Sequence, residues 1–414
     1  MKSKMTKLEK QWVLYDVGNS AFTMLCTTII PIFFKNIASA NGISNSDSTA
    51  YLSFTLSIAT VLVAILGPVL GTMADRKNFK KPFFFGTFLV GVIGCMALSF
   101  ASKWLAFLMI FAIAKTGYQL SLIFYDSMLT DITTEERMDE VSSNGYAWGY
   151  IGSCIPFSIS LILILGAEKI GISTGTATTI AFFLNAGWWT ATTIPLLKNY
   201  RQIHYVEREK EDHPLKDTFE RMGSVIREVR EKKQILFFLL GFFFYIDGVY
   251  TIIDMATSYG KDVGISDTDL VLALLLTQVV AFPCSIFFGK IAGKFKNSNL
   301  IKVCIGGYFF ITLFALQLDK AWEFWFLAVC VAVFQGAIQA LSRSYFAKII
   351  PKDRSGEYFG FYDIFGKGAA FMGTTVMGIS TKISGTSRVG VGMLAVMFIV
   401  GFLFFHKSAK YEKA

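Results

Sequence analysis

The stretch KNYRQIHYVEREKEDHPLKDTFERMGSVIREVREKKQ, residues 198–234, is the one long polar segment between apolar runs in a chain of 414 residues. The sequence on either side is built from runs of about 20 apolar residues, the length that spans a bilayer as a helix. Six runs precede the segment (10–35, 50–74, 83–101, 104–131, 141–166 and 176–197) and six follow it (235–260, 268–290, 299–317, 322–349, 357–381 and 387–406). With 53% hydrophobic and only 17% charged residues, the chain carries more apolar surface than a soluble protein of this length needs. The expected fold is an all-α membrane protein of twelve transmembrane helices. Residues 1–197 and 235–414 form two six-helix bundles, and 198–234 links them.

Inside the linker, Leu215, Phe219, Met222, Ile226 and Val229 recur at helical spacing behind Pro214. That pattern suits an amphipathic helix on the membrane surface; a partly disordered, solvated connector is the other reading. Lysine and arginine orient the bundle, because short loops rich in them stay cytoplasmic. With both termini inside, the cytoplasmic segments hold 29 of the 39 basic residues, the external segments seven and the helices three. The net charge of +9 is thus an orientation signal and an attraction to anionic lipid, with no nucleic-acid role implied. The compact loops point to a bacterial inner (plasma) membrane.

Several function classes drop out. The first apolar run is long and has no small-residue cleavage pattern, so a removable signal peptide is not expected. The six cysteines sit in apolar segments without CxxC spacing, and the three histidines lie in or beside loops, so neither a disulfide framework nor a metal site is expected. No phosphate-cradling glycine loop ends in Lys-Ser/Thr, and no HExxH or GxSxG motif occurs. An enzyme and a cofactor are therefore not expected, and a non-transporting membrane sensor stays only as a remote alternative.

What does carry chemistry is charge inside the membrane. A charge at the centre of a membrane helix costs roughly 2.5–3.5 kcal/mol on insertion scales, so each needs a partner or a hydrated cavity. Asp16, Lys115, Asp126, Asp247, Asp254, Arg343, Asp363 and Lys367 are all such residues. Asp363 and Lys367 stand i,i+4 and either neutralise each other or face the site. Asp126 and Arg343, 217 apart, fall at matching places in the fourth and tenth helices and serve either as gating and packing groups or as ligands. Lys115 has no acidic neighbour on its own turn and is the strongest candidate for binding. A zwitterion fits this polarity: lysine for its carboxylate, aspartate for its ammonium, and Asn19, Gln119, Gln335 and Gln339 for neutral hydrogen bonds. Asp247, with Asp16 second, is the candidate for carrying a coupled proton.

The halves read as repeats. GTMADRKNFKK (Gly71–Lys81) is echoed 218 residues later by GKIAGKFKN (Gly289–Asn297), and NGYAWGY (Asn144–Tyr150) is echoed 211 residues later by SGEYFGF (Ser355–Phe361). The i,i+4 pairs Gly67/Gly71, Gly145/Gly149 and Gly356/Gly360 clear helix faces for close neighbours. Six-helix repeats with a site between them near the midplane are the organisation of a secondary transporter.

Those residues also carry a resemblance. GTMADRKNFKK resembles the loop signature after helix 2 of the major facilitator superfamily, departing at its second glycine, where Asn78 or Phe79 stands. By that resemblance Gly71, Asp75, Arg76 and Asp131 form a cytoplasmic gate locking helix 2 to the start of helix 11 and the end of helix 4; otherwise these charges only set topology. WVLYDVGNSAF (Trp12–Phe22), FYIDGVYTII (Phe244–Ile253), GAIQALSRSYFAKIIP (Gly336–Pro351) and GEYFGFYDIFGKGAAFMG (Gly356–Gly373) resemble signatures of its vacuole-effluxer branch, the fungal autophagy-related vacuolar amino-acid exporters and their bacterial relatives. The resemblance implies the major facilitator fold, alternating access and export of amino acids, usually by a monomer. The expected function is proton-coupled efflux of a small polar or zwitterionic metabolite; export of amphipathic drugs or lipids is the alternative.

Overall fold

The computed structural model describes residues 4–207 and 214–412. Twelve long helices run through it: α1 Lys7–Ala40, α2 Asn45–Ala74, α3 Lys80–Ala97, α4 Trp104–Ser127, α5 Met138–Leu165, α6 Thr174–Asn199, α7 Lys233–Asp262, α8 Asp267–Ile291, α9 Asn297–Ala315, α10 Ala321–Ile349, α11 Ser355–Ser384 and α12 Ser387–Ala409. Among the described residues, eleven helices are long and apolar enough to cross a membrane by length and composition. The twelfth, α11, carries Glu357, Asp363, Lys367 and Lys382.

Local chemistry sets the ends and breaks of these helices. Thr6 and Glu9 form a reciprocal capping box at the start of α1, satisfying backbone donors that would otherwise be orphaned. Midway, α1 breaks at Thr28 (φ −125°, ψ −70°), because Pro31 removes a backbone donor and its ring crowds the carbonyl of Thr27. Pro68, Pro156, Pro195 and Pro283 sit inside helices without ending them, as neighbouring helices in a membrane bundle tolerate.

The packing is twofold repetitive. In the first six helices α1 packs on α5 and α6, α3 on α4 and α6, α2 on α4, and α5 on α6. Each pair recurs among the last six with every index raised by six. Tyr15 bonds Ser121 (2.6 Å) as Tyr245 bonds Ser342 (2.7 Å). Gly145 lies against Trp12 as Gly366 lies against Phe242, and Gly152 against Val17 as Gly373 against Asp247. These pairs set α5 against α11 with an offset of 221 residues, not the 211 that the glycine pairs suggest. The reason is that Gly145/Gly149 face α1 in their own half, whereas Gly356/Gly360 face α2 in the other.

Between the halves, α2 and α4 pack on α11, and α5 packs on α8 and α10. The end that carries both termini, the basic end, also holds the linker helix, Pro214–Glu231, which packs on α2 and α7. Val225 and Val229 are buried there and Ile226 is exposed, while the side chains of Leu215, Phe219 and Met222 lie outside the described residues.

Candidate functional site

Arg343 on α10 reaches across the interface into the first half. Its Nη1 donates to Asp126 Oδ1 (2.9 Å), Nη2 stands 3.3 Å from Asp16 Oδ2, Nε donates to Ser142 Oγ (2.9 Å) and Nη2 to the Ser142 carbonyl (3.0 Å). The guanidinium lies 4.6 Å from the Trp12 ring and 4.5 Å from the Tyr146 ring, so two aromatic faces supplement the carboxylates. Asn19 donates to the other Asp16 oxygen at 3.1 Å. Gly145 makes the approach possible, since a Cβ there would collide with Asp16 Oδ2. Asp16, Asn19, Asp126 and Arg343 are thus one cluster, to which Ser142, Trp12 and Tyr146 also belong. Sequence reading missed Ser142, and a serine five residues into a helix gives no signal of its own.

At the basic end, Asp75 accepts the backbone amides of Gly356 and Glu357, both at 2.8 Å, and so caps α11 from α2. A cap of this kind pairs a carboxylate with the positive end of the helix. Gly71 and Gly356 bring the two backbones into contact, and a Cβ on either would strike the other's carbonyl. Beneath them lies Lys80, fully buried, 2.7 Å from Ser355 Oγ, 3.7 Å from Asp75 and 3.6 Å from Asp131. Asp131 is held further by the Tyr200 hydroxyl and the His204 amide (2.9 Å). Burial pushes the Asp75 carboxyl up to about 7 against the opposing pull of Lys80 and the two amides. Arg76 pairs through its backbone with Val206.

A second tie joins the halves on α5: Asp139 accepts from Lys348 (2.6 Å), Ser344 (2.6 Å) and Asn297 (2.5 Å). Arg354 bridges Glu228 of the linker helix (2.5 Å) to Glu357 (2.9 Å), and Lys352 pairs with Glu135 (2.6 Å). Sequence reading missed Lys80, Asp139 and Lys348, which it counted as loop charges or not at all.

Away from the basic end the polar residues loosen. Tyr150 joins α5 to Gln339 (3.2 Å) on α10. Asp363 and Lys367 form an ion pair (2.5 Å) on α11, both partly exposed. Lys115 forms no ion pair among the described residues. Its ammonium lies 5.1 Å above the Tyr118 ring, and the charges that feel it are Asp254 on α7 and Lys367 on α11. Gln119, one turn along α4, is buried with its carbonyl oxygen unpartnered. Asp247 is placed elsewhere: it is fully buried between α7 and α11, with Oδ1 on the Gly373 amide (3.0 Å) and Oδ2 unpartnered. The acid that shares an electrostatic field with Lys115 is therefore Asp254, two turns beyond Asp247. Lys115 on α4 and Asp254 on α7 are thus a cation and an anion on opposite halves, neither in an ion pair among the described residues, above an ion-paired end.

Comparison with known proteins places this arrangement. The family described as "Vacuole effluxer Atg22 like" matches residues 5–413. The "Uncharacterized MFS-type transporter YxiO" of Bacillus subtilis (strain 168) is 43% identical over 406 residues, spanning 97% of this chain and 94% of that protein. "Autophagy-related protein 22-1" of Aspergillus niger is 25% identical over 288 residues, 63% of this chain and 45% of the fungal protein. Among solved structures, a Major Facilitator Superfamily transporter, FucP, in the outward conformation superposes with a TM-score of 0.73 at 12% identity, covering 97% of both chains.

Proposed function

The chain belongs to the vacuole effluxer family of major facilitator transporters, and on that premise we propose that it exports a small zwitterion, of the amino-acid class, by alternating access coupled to protons. The observation that carries this reading is Lys115 on one half and Asp254 on the other, neither in an ion pair among the described residues. A half-buried charge without an ionic partner, as at Lys115, is costly inside a membrane. A ligand carboxylate on Lys115 and a ligand ammonium on Asp254 would supply both partners at once, with Gln119 and Gln339 bonding the neutral parts. Efflux is the direction named for the family.

In this reading the two six-helix sets, 1–197 and 235–414, rock about the site as a monomer, in a bacterial inner membrane with both termini cytoplasmic. The excess of basic residues at the terminal end supports that orientation. Asp75, Lys80 and Asp131 act as the gate that closes the cytoplasmic side, and the Arg343 cluster ties the halves beneath the ligand. Asp247, with one oxygen unpartnered, takes the proton. Asp247→Asn should abolish pH-driven transport in proteoliposomes while leaving expression intact; unchanged proton dependence would remove it from the mechanism.

The first test is thermal unfolding of the purified protein against amino acids, peptides, nucleosides and amphipathic drugs, repeated with Lys115→Ala. A ligand present at a hundred times its Kd adds about 2.7 kcal/mol to apparent stability. The zwitterion reading expects a shift with an amino acid that vanishes in the variant. A second reading, export of amphipathic compounds, is favoured by an apolar cavity of about 120 Å³ in the second half, lined by Ile252, Met255, Leu327 and Met377. It expects shifts only with bulky apolar compounds, indifferent to Lys115.

A further inference from the structure

At the basic end the first turn of α3 and the last turn of α6 lie side by side and leave an open groove of about 880 Å³. Its rim carries Lys81, Lys198 and Arg201, and no carboxylate lines it. None of the three cations makes an ion pair with a described residue. Toward the bilayer the groove continues into Phe85, Ile194 and Leu197, the first two exposed by 47% and 40%. Cations at the end of two membrane spans with apolar side chains one turn deeper match the head and tails of one molecule: an anionic phospholipid. The groove is also larger than a lone ion requires.

The groove touches the gate. Tyr200 and Gln202 line it, and these same residues donate to Asp131 and accept the amide of Lys80 (3.3 Å). We propose that this groove binds an anionic phospholipid head group and that the bound lipid holds the basic end closed through Tyr200 and Gln202. The binding half of the proposal needs only the groove; the coupling half rests on the gate reading given above.

The experiment uses the full-length protein in nanodiscs and in detergent, with phosphatidylglycerol, phosphatidylcholine and inorganic phosphate as probes. Phosphatidylglycerol should raise the unfolding temperature, and neither phosphatidylcholine nor inorganic phosphate should. The triple variant Lys81→Gln, Lys198→Gln, Arg201→Gln should bind the lipid on the order of a hundredfold more weakly, about fivefold per cation. A charge-matched control, Lys10→Gln, Lys296→Gln, Lys410→Gln, at exposed positions of the same end, should keep the wild-type shift. Equal losses in both variants, or an equal shift with inorganic phosphate, would overturn the site. Hydrogen exchange at 75–80 and 355–360 should slow with phosphatidylglycerol in the wild type and not in the triple variant. Lipid binding that leaves that exchange unchanged would overturn the coupling while keeping the site.

Discussion

Arg343 is one place where charges of the two halves meet, and its neighbours show why an arginine is needed there. Two carboxylates, a serine hydroxyl, a carbonyl and two aromatic faces surround one planar group, an arrangement a lysine's point charge cannot satisfy. Removing one partner of a buried pair strands the others, at about 3–5 kcal/mol. Arg343→Gln should therefore lower the thermal unfolding midpoint sharply, and adding Asp16→Asn and Asp126→Asn should recover much of the loss. If the triple variant is no more stable than the single one, the ion cluster is not what the arginine stabilises. Asp75 gives a pH prediction of its own. Its buried value of about 7 lies above the 3.8 of an exposed carboxyl, so the closed form binds the extra proton between those limits. Closure is then favoured as pH falls through 7 toward 4, and this contribution is lost as pH rises through 7. Protection at 355–360, exchange measured relative to its intrinsic rate at each pH, should rise on acidification in wild type and lose that dependence in Asp75→Asn. At this scale the sequence showed which charges lay in the membrane but not their partners. Lys80 reads in sequence as one of four cations in a short loop; only its depth under α11 distinguishes it.

The crossing of α2 and α11 is made by the absence of side chains. A Cβ on Gly71 would strike the Gly356 carbonyl, which is backbone and cannot turn aside. Gly71→Val should force the helices apart, uncap α11 from Asp75 and favour opening of the basic end; spin-label distances between α2 and α11 should lengthen. The adjoining loop depends on Asn78, the one described non-glycine residue with left-handed backbone, φ 65°. Asparagine is among the few residues that adopt this conformation readily. Asn78→Gly should be tolerated, while Asn78→Val should cost about 1–2 kcal/mol in thermal unfolding. Helix number and span were legible from the length of the apolar runs. The register of α5 against α11 was not, because glycine spacing says that something packs closely without saying what.

Across the whole molecule the ties between halves gather at one end. Asp75 on α11, Lys80 on Ser355, Asp139 on Lys348, Glu135 on Lys352 and Arg343 on Asp126 all lie on the basic side of Lys115 and Asp254. A contact made only in the closed state biases the equilibrium by its own free energy, and couplings of this kind run about 1–3 kcal/mol, or 5–150-fold in population. Removing the α5 tie as a pair, Asp139→Asn with Lys348→Gln, avoids stranding either charge and so isolates that bias. Double-label distances should then show the population open at the basic end rising about tenfold, a shift of 1.4 kcal/mol. A ligand that binds the opposite state should partly reverse it, since it can move the equilibrium only by its differential affinity. If the population does not move, closure is carried by the backbone crossing of α2 and α11 with its Asp75 cap. The ion pairs on α5 would then steer the halves into register without deciding which end is shut.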